Sequence, residues 1–142
     1  MWNPNVRPYG EYFAKAQAVT TADVAGNVAA NNPMRLDAAQ SGTAIRVAVP
    51  LNATLAIAAG ESVELSVYAA KTATGTMIKI GTALYNNDTG ATYTFGPDGT
   101  LMEFVLPQIL LVYPYIKVMV KGSAAPVGTI DIFPHYVSAP RR

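Results

Sequence analysis

The sequence predicts an all-β fold, an antiparallel β-sandwich of jelly-roll type with about eight strands and an extended N-terminal arm, on three observations. Hydrophobic side chains recur with period two. In Ser62–Lys71, Val63, Leu65, Val67 and Ala69 alternate with Glu64, Ser66 and Tyr68; in Tyr115–Lys121, Ile116, Val118 and Val120 alternate with Lys117, Met119 and Lys121. The joints carry turn chemistry, residues that tolerate positive φ or preset a proline φ: Asn31-Asn32-Pro33, Ser41-Gly42, Ala59-Gly60, Asn86–Gly90, Gly96–Gly99 and Lys121–Ser123. No amphipathic helix of about ten residues lies between them, so the crossovers that parallel strands need are missing.

Taken in order, the arm spans residues 1–12 and a single sandwich domain residues 13–142. The arm mixes Pro4 and Pro8 with Trp2, Tyr9 and Tyr12, which disfavours helix. Its aromatics either pack across their own domain or anchor a partner, the role buried Trp and Tyr often have at interfaces. The strands expected after it are Phe13–Thr20, Met34–Asp37, Ala44–Pro50, Ser62–Lys71, Thr76–Tyr85, Thr100–Pro107, Tyr115–Lys121 and Val127–Val137. No internal repeat or linker divides them.

With 142 residues the chain can bury about 68–70% of its unfolded surface without staples. Charged residues make up only 13% and apolar ones 51%, at a formal net charge of +1, which points to a large partner-covered surface. The ten Lys and Arg are scattered in sequence, with only Arg141 and Arg142 adjacent, so no nucleic acid partner is expected. Cysteine is absent, which excludes disulfides and Cys-based zinc sites. Residues 1–18 hold no apolar core of a signal peptide, and no stretch approaches the ~18 apolar residues of a membrane span, so neither export by that route nor a membrane partner is expected.

Two segments break the alternation. Residues 106–115 form a nearly continuous apolar run bracketed by Pro107 and Pro114, with Ile109, Leu110, Leu111 and Val112 at its centre. In the last strand Ile130, Ile132 and Tyr136 share one face, while Asp131, Phe133, His135 and Val137 give the other face large side chains as well. Either a loop of the chain or another subunit covers that second face. The candidate partner interface is therefore Trp2, Tyr9, Tyr12, Ile109, Leu110, Leu111, Val112, Phe133, His135 and Val137, with a homo-oligomer, dimer or trimer, expected.

Chemistry-bearing groups are few. His135 is the single histidine, and Asp131 stands four residues before it, a spacing read as a simple contact with a structural or interface role rather than a catalytic pair. Asp88 and Asp98 sit in loops that lack the regular D-x-D-x-D-G pattern, and turn formation accounts for them better than calcium does. Glu61 and Glu64 fall on opposite sides of a strand. The expectation is no enzyme, no metal and no cofactor.

Ala16–Thr20 followed by Met34–Asp37, the strand pair Val63–Ala70 and Ile78–Tyr85, the strand Leu101–Pro107, and Tyr115–Val120 before a glycine-alanine turn and a last strand occur in an order that resembles the jelly-roll cement, or decoration, proteins of podovirus-like tailed-phage heads. The arm Met1–Gly10 departs from that pattern in being longer and more aromatic. The resemblance implies a virion protein on the capsid exterior, assembled in the host cytoplasm, whose partner is a separate major capsid protein and which carries no catalytic residues. A carbohydrate-binding or host-recognition sandwich is the alternative, with Tyr85, Asn86, Asn87, Asp88 and Tyr93 as its candidate sugar platform.

Overall fold

The computed structural model describes residues 12–36, 43–106 and 112–136. They form eleven strands: β1 Ala14–Ala18, β2 Val24–Ala25, β3 Met34–Arg35, β4 Thr43–Ala48, β5 Leu55–Ile57, β6 Ser62–Ala70, β7 Ile78–Asn86, β8 Tyr93–Phe95, β9 Thr100–Val105, β10 Tyr115–Gly122 and β11 Val127–Tyr136. A single 3-10 turn at Ala29–Asn31 is the one helical element among the described residues. All eight expected strands are present. The additional three, β2, β5 and β8, are two or three residues long, too short to hold a full cycle of alternation.

Every pairing is antiparallel, and the strands divide between two sheets. Sheet I has six strands in the order β8-β5-β11-β4-β9, with β1 sharing the edge of β11 that β5 also uses; sheet II has five, in the order β2-β10-β6-β7, with β3 beside β2 on β10. The steps β5 to β6, β7 to β8, β9 to β10 and β10 to β11 each cross between sheets, which is the winding of a jelly-roll sandwich. Period-two alternation puts Ile45, Val47, Leu55, Ile57, Ile130 and Ile132 of sheet I against Val63, Leu65, Val67, Ile116, Val118 and Val120 of sheet II in one buried core.

A second, smaller cluster lies on the outside of sheet I, where Tyr12 packs with Val28, Ala48 and Phe133. The Tyr12 and Phe133 rings meet edge-on with centroids 5.7 Å apart, and Lys15 Nζ sits 4.5 Å from the Tyr12 centroid. The chain itself therefore covers this part of the second apolar face of β11.

Between the two clusters, amide side chains tie the sheets together. Phe13 donates its N–H to the Ile132 carbonyl of sheet I at 2.7 Å, while its own carbonyl accepts from Asn32 Nδ2 at 2.9 Å. Asn32 Oδ1 in turn accepts the Val118 N–H of sheet II at 3.2 Å. Asn27 and Asn31 add further bonds to the backbone of Lys15 and Tyr12. Such bonds satisfy backbone groups that the ladder leaves open.

Candidate functional site

The outer face of sheet II follows from the alternation that builds the core. With Ile116, Val118 and Val120 inward, β10 presents Tyr115, Lys117, Met119 and Lys121 outward; with Val63, Leu65, Val67 and Ala69 inward, β6 presents Glu64 and Tyr68. Register sets their neighbours. Arg35 lies opposite Tyr115, Lys117 opposite Tyr68, which is opposite Lys79, and Lys121 opposite Glu64, which is opposite Leu84. Strands about 4.8 Å apart put Lys79 and Lys117 on either side of Tyr68, some 10 Å from each other at Cα.

Charge is segregated between the sheets. On sheet I, Arg46 and Glu103 form a cross-strand ion pair, and Lys15 reaches Asp131 at 3.5 Å. All the other described cations, Arg35, Lys71, Lys79, Lys117 and Lys121, stand in sheet II or directly after β6. Glu64 is the one carboxylate within the strands of sheet II among the described residues, and it pairs with Lys121 at 3.7 Å. Two of these five lie over tyrosine rings, Arg35 at 5.8 Å from the Tyr115 centroid and Lys71 at 5.7 Å from that of Tyr113. The sequence hides this grouping because the five are scattered along it; the polar side of Tyr115–Lys121 is the one local sign.

Of the candidate interface residues, Trp2, Tyr9, Ile109, Leu110, Leu111 and Val137 lie outside the described residues. Tyr12 and Phe133 are packed within the chain, 2% and 1% exposed, against each other and with Val28 and Ala48. Val112 is 55% exposed. His135 is half-buried opposite Ala44 of β4. Four residues of extended strand separate the Cα atoms of His135 and Asp131 by about 13 Å. Asp131 holds β1, accepting the Ala16 N–H at 2.7 Å where β1 bulges and Ala16 takes φ +49°.

Of the candidate sugar platform Asn87 is turned inward and Tyr85 is half-buried, whereas Asn86, Asp88 and Tyr93 are exposed. Asn87 is wholly buried; its Nδ2 donates to the carbonyls of Ile57 (2.8 Å), Ala58 (3.2 Å) and Ala91 (2.9 Å), and its Oδ1 accepts from the Thr89 N–H and hydroxyl. Tyr85 and Tyr93 both pack edge-on against Phe95, at 5.1 and 4.8 Å. Burial, then Tyr93 and Asp88, push the Tyr85 phenol above its ordinary 10.0. Among the described residues no three His, Asp or Glu side chains gather as a metal site would need. A shallow pocket of about 210 Å³ lies between Ile57, Val63 and Pro126, with Glu61 on its wall, and Ser123 Oγ donates to that carboxylate at 2.7 Å.

No protein-family model matches the chain, and comparisons with curated proteins and with solved structures give no match.

Proposed function

We propose that this protein is a non-enzymatic structural component that binds the outer surface of an assembled phage capsid and cements neighbouring major capsid subunits. The observation that carries the reading is apolar surface left outside a closed core. Leu84, Val105, Val112 and Val127 are 60%, 64%, 55% and 76% exposed, although the sandwich already has a complete core. Burying one such side chain against a partner is worth about 1.5–3 kcal/mol, so surface of this kind is a source of attachment free energy. Val105 and Val112 also stand on either side of the segment that contains Ile109, Leu110 and Leu111. The order of the strands supports the same reading through its resemblance to the cement proteins of podovirus-like heads.

Each copy offers modest contacts to any one subunit. A dimer or trimer that engages several subunits at once gains from effective concentration, so weak sites sum to firm attachment. Because it binds the assembled lattice, mass action stabilises the assembled state. The test is to heat shells with and without saturating purified protein. Shells that lack it should assemble but rupture at lower temperature, and adding it back should restore them; equal rupture temperatures remove the cementing role. Light scattering at micromolar concentration should give a dimer or trimer, and a monomer would remove the bridging argument.

A further inference from the structure

We infer that the outer face of sheet II is a docking surface for an acidic protein surface, one rich in Asp and Glu carboxylates. Charge complementarity carries this. Five cations, Arg35, Lys71, Lys79, Lys117 and Lys121, share sheet II and its margin with three carboxylates, Glu64 within β6 and Asp23 and Glu61 directly before β2 and β6, while the described cations of sheet I are paired on their own sheet. Among the described residues the cations thus outnumber the carboxylates on sheet II and its margin. Such a face steers an acidic partner into register and rejects a basic one.

The other side chains on the face favour a protein over a nucleic acid. Leu84 and Met119 add apolar surface beside the cations, and Tyr, Met and Arg are the residue types enriched at protein interfaces. A single-stranded nucleic acid needs open ring faces on which to stack its bases, and Arg35 already lies over Tyr115. The face belongs to an antiparallel sheet, and its Lys79-Tyr68-Lys117 row crosses three adjacent strands, which suits a surface better than a single threaded strand. The inference rests on the attachment reading above only in taking the shell exterior as the acidic surface.

The experiment uses the full chain and a fluorescently labelled Glu-rich dodecapeptide, followed by anisotropy at low ionic strength. Binding should weaken as salt is added. Lys79→Gln/Lys117→Gln should lower affinity about tenfold, and Lys79→Gln alone severalfold, with unchanged thermal unfolding. Thr54→Glu/Thr94→Glu changes net charge by the same amount at exposed positions on and beside sheet I, and should leave most of the affinity intact. No peptide binding, or equal losses in the two double variants, overturns the inference. So does tighter binding of a single-stranded DNA dodecamer that is lost in Lys79→Gln/Lys117→Gln, which makes the face a nucleic-acid site. Peptide binding without any effect on shell rupture keeps the face and removes the cementing role, whereas cementing that survives Lys79→Gln/Lys117→Gln keeps the role and removes the face.

Discussion

Gly81 of β7 lies against the ring of Phe104 of β9, so closely that a Cβ on Gly81 would come within 2.5 Å of Phe104 Cε1. These two strands are the free edges of sheet II and sheet I, and they meet here without ladder hydrogen bonds. One side of the sandwich is therefore closed by an aromatic side chain laid over bare backbone. A side chain on Gly81 would displace the Phe104 ring from this seam.

Gly81→Ala should accordingly destabilise the protein by about 1–3 kcal/mol, the range for overpacking a filled site. Urea unfolding measures it. Adding Phe104→Leu should recover part of the loss, because a smaller side chain makes room; a double variant as unstable as the sum of the two singles would show that the contact is not the cause.

The bulge in β1 gives an opposite expectation. Ala16 adopts φ +49°, a region that costs an L-residue about 1–2 kcal/mol, and it is held there by the Asp131 carboxylate. Ala16→Gly should be neutral or stabilising by up to about 1 kcal/mol. Asp131→Ala should cost about 1–3 kcal/mol, since it strips the Ala16 N–H of its acceptor in a part-buried site. Thermal unfolding of both variants checks the pair.

The seven longer strands were legible because period two repeats along them, as in Val63 to Ala69, and because Asn, Gly and Pro mark where they stop; β3, only two residues long, stood out by its place after Asn31-Asn32-Pro33. Leu55–Ile57 and Tyr93–Phe95 were not, for three residues alternate only once whether or not they pair. The amide ties were hidden for another reason. Asn32 bonds the Val118 N–H across 86 positions, and nothing local distinguishes that asparagine from a turn former. Tyr12 and Phe133 stand out in the sequence as large aromatics that need cover, but alternation cannot tell whether the chain or a partner covers an apolar face. The basic face of sheet II escaped because linear clustering was the signal sought, whereas register between β7, β6 and β10 is what gathers it.

Asn87 offers a direct test of whether its loop serves the fold. Its amide joins the end of β5 to the connection between β7 and β8, with every bond made to chain around it. Asn87→Ala removes the buried donor to the Ile57 carbonyl, while the Ala58 and Ala91 carbonyls keep the Glu61 N–H and the Thr89 hydroxyl, and should cost about 1–3 kcal/mol, visible as a lower urea midpoint. Asp88→Ala, at an exposed neighbour, should stay within about 0.5 kcal/mol of the parent. If the two variants were equally stable, the buried amide would not be holding the loop.

Tyr85 makes the last expectation one of pH. Its phenol is raised above 10.0, first by burial and then by Tyr93 and Asp88, so the fold favours the neutral form. Once pH passes 10.0, the unfolded chain releases this proton while the native chain still holds it. The unfolded state then binds fewer protons than the native state, and stability falls as pH rises through the native value. Below 10.0 both states are protonated and the group adds no slope. Tyr85→Phe keeps the ring against Phe95 but cannot ionise. The stability of the parent relative to this variant should therefore be constant up to about pH 9 and decline above about pH 10. The lysines and the tyrosines that do not act on Tyr85 are common to both proteins and cancel in the difference. Urea unfolding across that range reads it out, and a difference that stayed flat through the alkaline limb would show that ionisation of Tyr85 is not linked to the fold.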